Sequence, residues 1–320
     1  MPVLHTPASL REEKLGRSRT TLKHVVESQQ FTVPLLMELF ERSRQMERVV
    51  ARGGTLDYQH RILASLFYQP STRTRFSFEA AMHRLGGRVL STEHARAFSS
   101  EIEAEQVEDS IRIISSYCDV IVIRHHEAGG AARAAKVSPV PVINAGDGEG
   151  GQHPTQALLD LYTIYRERPL DGLSVAFIGD LDRGRTARSL AYLLAKFDRV
   201  KIFFVSPPEL QMKSDILQYL DRHGVHYELE SDIDRVVREV DVVYQTRIRP
   251  DRLPHIPRSR RYAIDSSVLQ RMKPDAMILH PLPRTVELDK TVDDDPRALY
   301  FRQAANGLYV RMALLAMVLE

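Results

Sequence analysis

The feature that most constrains the fold of this chain is a regular alternation between short apolar runs and longer helical patterns. The apolar runs have the length of buried strands, and most of them stop at a polar or glycine-containing turn. The runs that predict strands are 61–67, 119–124, 140–144, 173–178, 200–205, 240–244 and 277–279. Strands that alternate with helices favour parallel sheets covered on both faces. The sequence therefore predicts an α/β protein.

The length of 320 residues is enough for about two domains at roughly 100–200 residues each. A helical pattern over 155–166 leads into Glu167-Arg-Pro-Leu-Asp-Gly172, which has the composition of a linker. We therefore predict a first domain over residues 1–168 and a second over 169–302, each a parallel sheet flanked by helices.

Charge and hydropathy exclude several classes of protein. A formal charge of +2 gives no general electrostatic reason to expect nucleic acid or an acidic membrane as a partner. The single cysteine, Cys118, excludes an intramolecular disulfide and a multi-cysteine zinc site. No apolar run approaches the ~20 residues that span a bilayer, and residues 1–23 lack the apolar centre of a secretory signal. We expect a cytoplasmic protein with no membrane and no nucleic-acid partner.

The first candidate site is Pro70-Ser71-Thr72-Arg73-Thr74-Arg75, between a predicted strand and a predicted helix. Hydroxyl and guanidinium groups gather there at a helix N-terminus, where free N–H groups and the helix dipole favour an anion. The planar guanidinium group can donate two parallel hydrogen bonds to phosphate oxygens. The alternative is an ordinary helix cap followed by two solvated arginines.

The second candidate is Gly148-Glu-Gly-Gly-Gln-His153-Pro154-Thr155-Gln156, a glycine-rich loop that enters a helix. A histidine at the positive end of a helix tends to remain neutral, and it can donate a hydrogen bond to a carbonyl oxygen. Gln156 follows one turn later. The alternative is a capping histidine and a surface glutamine.

The third candidate is Gly179-Asp-Leu-Asp-Arg-Gly184-Arg185-Thr186, which differs at one position from a nucleotide-binding P-loop. Arginine stands where that motif has lysine, which is a poor exchange at a site for a compact charge. No later strand ends in an aspartate that would complete a magnesium site. A turn in which arginine binds a carboxylate is the better interpretation.

Two further turns follow predicted strands, Thr246-Arg247-Ile248-Arg249 and His280-Pro281-Leu282-Pro283-Arg284. The two prolines fix the shape of the second turn, although a rigid turn without function is the alternative. Metal-ligand spacing is absent from the sequence. Several arginines at strand ends, with almost no candidate acid or base, indicate a site for two anions that works by positioning and charge stabilisation.

These motifs together resemble the aspartate/ornithine carbamoyltransferase family, and its aspartate branch most closely. The resemblance covers residues 22–320 and rests on four motifs in the same order. They are Ser71-Thr-Arg-Thr-Arg-Phe-Ser-Phe-Glu79, His153-Pro-Thr-Gln-Ala-Leu-Leu-Asp160, Gly184-Arg185-Thr186 and His280-Pro-Leu-Pro-Arg284.

The resemblance implies transfer of a carbamoyl group from carbamoyl phosphate to an amino acid, with L-aspartate as the first candidate and pyrimidine biosynthesis as the setting. It assigns carbamoyl phosphate to residues 1–168, with the terminal helix 303–320 packed back on them, and the amino acid to 169–302. It also implies a homotrimer whose sites are shared between subunits, and no cofactor or metal.

The resemblance implies roles for individual residues. The carbamoyl-phosphate group consists of Ser71, Thr72, Arg73, Thr74, Ser99, Arg124, His153 and Gln156, of which Arg73, Thr74, Arg124 and His153 are catalytic. The amino-acid group consists of Arg185, Arg247, Arg249, Pro281 and Leu282.

Three positions depart from the family pattern, and all three bear on the acceptor. Glu103 stands where a mobile loop of the family carries lysine, Arg249 replaces a glutamine, and Thr285-Val286 precede Glu287. Charge reversal near a dianion costs several kcal/mol unless it is compensated; Arg96 or Arg249 are the candidates for compensation. Two alternatives follow: a carbamoyltransferase with a different amine acceptor, or a catalytically weak paralogue that acts as a binding or assembly subunit.

Overall fold

The computed structural model describes residues 22–93, 106–248 and 262–320, which form two parallel sheets. The first sheet has the order β2-β1-β3-β4 and lies among five helices. Its elements are α1 (Val33–Ala51), β1 (Ile62–Phe67), α2 (Thr72–Arg84), β2 (Arg88–Glu93), α3 (Val107–Ile114), β3 (Val120–Arg124), α4 (Gly130–Val137), β4 (Val142–Asn144) and α5 (Pro154–Glu167).

The second sheet has the order β7-β6-β5-β8-β9, again with every pairing parallel. Its elements are β5 (Ser174–Ile178), α6 (Arg185–Leu194), β6 (Lys201–Val205), α7 (Ser214–Arg222), β7 (His226–Glu230), α8 (Ile233–Val236), β8 (Val242–Gln245), α9 (Ser266–Leu269) and β9 (Met277–Leu279), and α10 (Tyr300–Leu319) follows. The predicted α/β class with two parallel sheets flanked by helices is confirmed.

All seven predicted strands form, and the two sheets contain two further strands that the sequence analysis did not predict. These are β2 and β7, each of which lies at one edge of its sheet. Neither contains a fully buried residue, whereas every residue of β3 is buried. An outer strand that faces solvent does not need a continuous apolar run, so its sequence carries little strand signal.

The last helix, α10, packs against α1, α2 and α5, so it lies against the helices around the first sheet. It begins at Tyr300, three residues before the predicted start at 303. Leu314 and Leu315 of α10 share one apolar cluster with Phe40 of α1 and Tyr162 of α5. An ion pair of 2.6 Å between Arg42 and Glu320 joins α1 to the residue after α10.

In both sheets the chain changes direction at a central pair of strands, β1 with β3 and β5 with β8. Ligands of open parallel sheets bind beyond the carboxyl ends of the strands at such a point. Phe67, the last residue of β1, is paired with Arg124, the last residue of β3. The turn after β1 therefore begins beside the Arg124 side chain. Among the described residues, no helix is long and apolar enough to cross a membrane.

Candidate active site

A cavity of about 490 Å³ opens where the carboxyl ends of the two sheets meet. It is lined by Pro70, Ser71, Thr72, Arg73, Thr74, Ser77, Arg124, His153, Gln156, Leu159, Arg185, Thr186, His280, Pro281, Leu282, Pro283, Gln303, Ala304 and Arg311. All four of the predicted family motifs thus contribute to one cavity, together with residues of α10.

The turn after β1 brings its hydroxyl groups to the start of α2. Ser71 is the N-cap residue, but its side chain makes no capping hydrogen bond. Thr74 is buried, and burial lowers the pKa of Arg73. Arg75 is directed elsewhere, since its guanidinium lies 3.2 Å from the carboxylate of Glu93. One of the two arginines of this motif therefore serves the cavity, beside the free N–H groups of the helix.

Arg124 ends β3, and its guanidinium is held at the cavity wall. Its Nη1 donates to the carbonyl oxygen of Ala145 at 3.1 Å, while Nε is buried without a partner among the described residues. Burial, Arg185 and Arg73 together lower its pKa to about 9. The charged form of Arg124 therefore gains stability when an anion enters the cavity.

Gly146 allows Arg124 and His153 to approach the same piece of backbone. Its φ of +115° lies in the region that favours glycine, and a Cβ there would lie 2.6 Å from Arg124 Nη1. The same Cβ would lie 3.1 Å from the His153 ring. A side chain at this position would displace both groups.

His153 occupies the N-cap position of α5 and is 4% exposed. Its backbone N–H donates to Ser189 Oγ at 2.9 Å, which ties α5 to α6. Burial, followed by the charges of Arg185, Arg124 and Arg311, lowers the pKa of His153 well below its usual value. The imidazole is therefore neutral at physiological pH and can donate a hydrogen bond to an oxyanion.

Gln156 and Arg185 both line the cavity, near the starts of α5 and α6. Gln156 Nε2 donates to the buried carboxylate of Asp160 at 2.8 Å. Arg185 Nη1 donates to the carbonyl oxygen of Asp147. Burial lowers the pKa of Arg185, and the charge of Asp147 opposes that shift.

The turn after β9 forms the remaining wall. Leu282 has a φ of 52°, and its N–H donates to His280 Nδ1 at 2.7 Å. His280 Nε2 therefore carries the proton and donates to Glu287 Oε1 at 3.1 Å. Both side chains are 1% exposed. Burial opposes the ionisation of Glu287, but hydrogen bonds from His280 and Thr285 lower its pKa below the usual value.

Ten of the thirteen predicted site residues line the cavity. Arg247 follows β8 but is exposed and does not line it. Ser99, Arg249 and the substituted loop position Glu103 lie outside the described residues. Within 22–93, 106–248 and 262–320, no group of three acidic, histidine or cysteine side chains could hold a metal ion.

The sequence analysis missed two polar residues of the cavity, Gln303 and Arg311 of α10. Arg311 is 4% exposed, stands over the Phe78 ring at 5.1 Å, and has an Nε without a partner in the described chain. Burial lowers its pKa to about 10. The sequence does carry a signal for Arg311, since it is a single charged residue in the otherwise apolar stretch Leu308–Leu319 and isolated buried charges are rare.

The cavity therefore combines several guanidinium groups, a neutral imidazole and a helix N-terminus, all aimed at one space. Such a set binds oxyanions and stabilises negative charge as it develops on a carbonyl oxygen. In the described lining no aspartate or glutamate is present, so charge stabilisation and positioning are its chemistry.

Comparison with known proteins agrees with this chemistry. The family model "aspartate/ornithine carbamoyltransferase, carbamoyl-P binding domain" matches residues 23–166, and the "Asp/Orn binding domain" model matches 171–318. The chain belongs to the aspartate/ornithine carbamoyltransferase family, and is an enzyme of that class. The predicted family and enzyme class are confirmed.

Individual relatives are aspartate carbamoyltransferases. The rice chloroplastic enzyme is 51% identical over 93% of this chain and 85% of its own length. The catalytic subunit from Methanothrix thermoacetophila is 46% identical, over 93% of this chain and 98% of its own. The Trypanosoma cruzi enzyme, solved with carbamoyl aspartate and phosphate, superposes with a TM-score of 0.87 at 38% identity, over 93% of this chain and 96% of that one.

The predicted cytoplasmic location is wrong on this comparison. The rice relative, like those from pea and Arabidopsis thaliana, is a chloroplastic enzyme. The prediction rested on the lack of an apolar signal centre. That lack argues against a secretory signal but does not distinguish the cytosol from an organelle, since organellar transit segments are polar and amphipathic.

Proposed function

We propose that this enzyme transfers the carbamoyl group of carbamoyl phosphate to the amino group of L-aspartate, giving N-carbamoyl-L-aspartate and phosphate. The observation that carries the proposal is one cavity that joins an anion-binding helix start, Ser71 to Thr74, to Arg124, His153 and Arg185. The Trypanosoma cruzi relative has been solved with carbamoyl phosphate and aspartate together. The relatives favour aspartate over another amine or a catalytically weak subunit.

The donor is held at the first sheet. The hydroxyl and N–H groups of Ser71, Thr72 and Thr74 bind the phosphate, together with Arg73. Arg124, neutral His153 and Thr74 polarise the carbamoyl carbonyl. When the neutral amine attacks the carbonyl carbon, the C–N bond forms and negative charge moves onto that oxygen. Removal of one such donor typically costs about 3–4 kcal/mol of transition-state stabilisation.

The acceptor is held at the second sheet. Arg185 binds one carboxylate of aspartate, and Arg247 and Arg249, which follow β8 in the sequence, bind the other. The backbone of Pro281 and Leu282 faces the amine. Collapse of the tetrahedral intermediate breaks the C–O bond to phosphate. The attacking nitrogen loses a proton to the departing phosphate, whose negative charge is stabilised by Arg73.

We further propose a division of labour along the chain and an assembly. Residues 1–168 with the terminal helix 303–320 bind carbamoyl phosphate, and 169–302 bind aspartate. The packing of α10 on α1, α2 and α5 supports the first grouping. We propose a homotrimer in which Ser99 of one subunit completes the site of its neighbour.

The test is the release of phosphate and the formation of N-carbamoyl-L-aspartate from carbamoyl phosphate and saturating L-aspartate, with a control that lacks acceptor. We expect aspartate-dependent turnover. Phosphate release that is the same with and without aspartate would exclude aspartate as the acceptor, and a screen of other amines would follow.

Assembly is tested separately. We expect a trimer by light scattering. Mixed preparations of two weak variants, Arg124→Met and Ser99→Ala, should regain activity, since a shared site can combine the two intact halves. A monomer, or mixtures as weak as their components, would exclude shared sites.

A further inference from the structure

Asp160 is a buried carboxylate that lies directly behind the cavity wall, and the proposed mechanism gives it no role. It follows Gln156 by one turn of α5 and is inaccessible to solvent. Three side chains donate to it from three elements. Gln156 Nε2 and Gln303 Nε2 reach Oδ1 at 2.8 and 2.5 Å, and Tyr244 Oη reaches Oδ2 at 2.7 Å.

A backbone group outside this cluster determines which of these atoms donate hydrogen bonds and which accept them. The backbone N–H of His280 lies 2.9 Å from Gln303 Oε1, and a backbone N–H can only donate. Gln303 must therefore turn its Nε2 towards Asp160, which makes Oδ1 an acceptor. The Gln156 atom that faces the same oxygen must then be its nitrogen, since an amide oxygen there would meet an acceptor.

The orientation of the Gln156 amide oxygen, Oε1, follows from this assignment. With Nε2 committed to Asp160, Oε1 is the amide atom left for the cavity that Gln156 lines. No donor of the described chain reaches that oxygen. A ligand that fills the space beside Arg124 and His153 satisfies it only by presenting an N–H group.

We propose that Asp160 is a positioning residue that selects a carbamoyl over an acyl phosphate by holding the carbonyl of Gln156 towards the amino group of the donor. This inference rests on the proposed function. A carboxylate accepts and cannot donate when ionised, so it excludes the flipped amide that would turn Nε2 to the ligand.

Acetyl phosphate is the matched probe, because a methyl group replaces the amino group at nearly the same size. A methyl group leaves Gln156 Oε1 buried and unsatisfied, and sites built for a hydrogen bond reject ligands that lack it. We expect the unsubstituted protein to bind carbamoyl phosphate about 10- to 100-fold more tightly than acetyl phosphate.

The experiment measures both dissociation constants by calorimetry, without aspartate, for four single variants and one double variant of the full chain. Asp160→Ala removes the constraint. Asp160→Asn keeps the volume but allows the amide at 160 to turn. Gln156→Met removes the selecting group itself. Tyr244→Phe is the control, since it removes a hydrogen bond to the same carboxylate but on Oδ2, away from Gln156.

In Asp160→Ala the preference for carbamoyl phosphate should fall at least fivefold, in Asp160→Asn less, and in Tyr244→Phe less than twofold. The double variant Asp160→Asn with Gln156→Met should differ from Gln156→Met alone by less than twofold in its preference for carbamoyl phosphate, because Asp160 acts through Gln156. A preference that survives in folded Asp160→Ala, or is lost equally in Tyr244→Phe, would overturn the inference. If Asp160→Ala does not fold, Asp160→Asn decides, and the inference then requires its preference to fall by more than that of Tyr244→Phe.

Failure of this inference is distinct from failure of the proposed function. An unsubstituted protein that turns over carbamoyl phosphate with aspartate, while its Asp160 variants keep the full preference, contradicts only the role of Asp160. An unsubstituted protein that does not bind carbamoyl phosphate contradicts both.

Discussion

The two walls of the cavity are built differently. The wall at the first sheet consists of side chains at the ends of regular elements: Ser71 before α2, Arg124 at the end of β3 and His153 before α5. The opposite wall depends on the 280–283 turn, in which Leu282 has a φ of 52°. Sites on helices and strands are held more precisely than sites on loops. The wall that we propose for carbamoyl phosphate is therefore set by regular elements, whereas the wall that we propose for aspartate combines Arg185 at the start of α6 with one supported turn.

The largest effect that this comparison predicts is at Arg124. Replacement by methionine removes a donor to the developing oxyanion, so kcat should fall about 10²- to 10³-fold. Arg133→Met is the matched control, because Arg133 pairs with Glu108 and Glu127 at the surface and does not line the cavity; there the change should be less than twofold. Equal losses in both variants, in steady-state assays, would contradict a special role for Arg124.

The next effect concerns Asp160, which joins the two walls. Burial raises its pKa to about 6, above the ordinary value of about 4 in an unfolded chain. The folded protein then binds more protons than the unfolded one between about pH 4 and 6, so ionisation of Asp160 lowers stability as pH rises through that window. Relative to Asp160→Asn, the unsubstituted protein should lose about 2–3 kcal/mol between pH 4 and 7.5.

Urea unfolding of both proteins at several pH values measures this difference. The other titrating groups are common to the two chains, so they largely cancel. Parallel stability curves would mean that Asp160 titrates normally.

Gly146 tests whether the donor wall is as closely packed as the distances indicate. Gly146→Ala places a Cβ against Arg124 and His153, so the dissociation constant for carbamoyl phosphate should rise about 10- to 100-fold. Gly150→Ala is a matched control on the same loop: Gly150 also has a positive φ, of +80°, but its Cβ would meet nothing within 4 Å. If the two variants bind equally well, contact with Arg124 does not matter and only backbone strain does.

The smallest effect is expected on the acceptor wall. Glu287→Ala leaves His280 Nε2 and the Thr285 N–H without their acceptor. The turn that faces the amine then loses its support, and KM for aspartate should rise about tenfold, while the dissociation constant for carbamoyl phosphate stays within twofold. Asp289→Ala, a nearby exposed cap, is the control. Equal weakening of donor and acceptor would remove the distinction between the two walls.

Sequence patterns predicted the buried strands better than the exposed ones. The buried strands are apolar, and even β9, at one edge of its sheet, was predicted at its observed bounds, Met277–Leu279, because all three of its residues are buried. The edge strands β2 and β7 contain several polar residues and no fully buried position, so a search for apolar runs does not detect them. Burial produces the sequence signal, and these two strands are the ones that lack it.

The residues of the candidate site could also be predicted only in part. Residues at strand ends and helix starts, such as Arg124 and His153, could be located because their elements were predicted and carboxyl ends of parallel strands meet. Gln303 and Arg311 could not be located, because they come from a helix after the last strand whose docking is decided by tertiary packing. Asp160 was hidden inside a motif, since only its partners on β8 and α10 show what it holds.

The docking of α10 has a consequence for synthesis of the protein. This helix supplies Gln303 and Arg311 to the cavity, although it is the last element of the described chain to be translated. While a nascent chain still lacks α10, both sheets can be complete and yet the cavity has no rear wall. We therefore expect the cavity to be complete only after α10 has been translated and has docked against α1, α2 and α5.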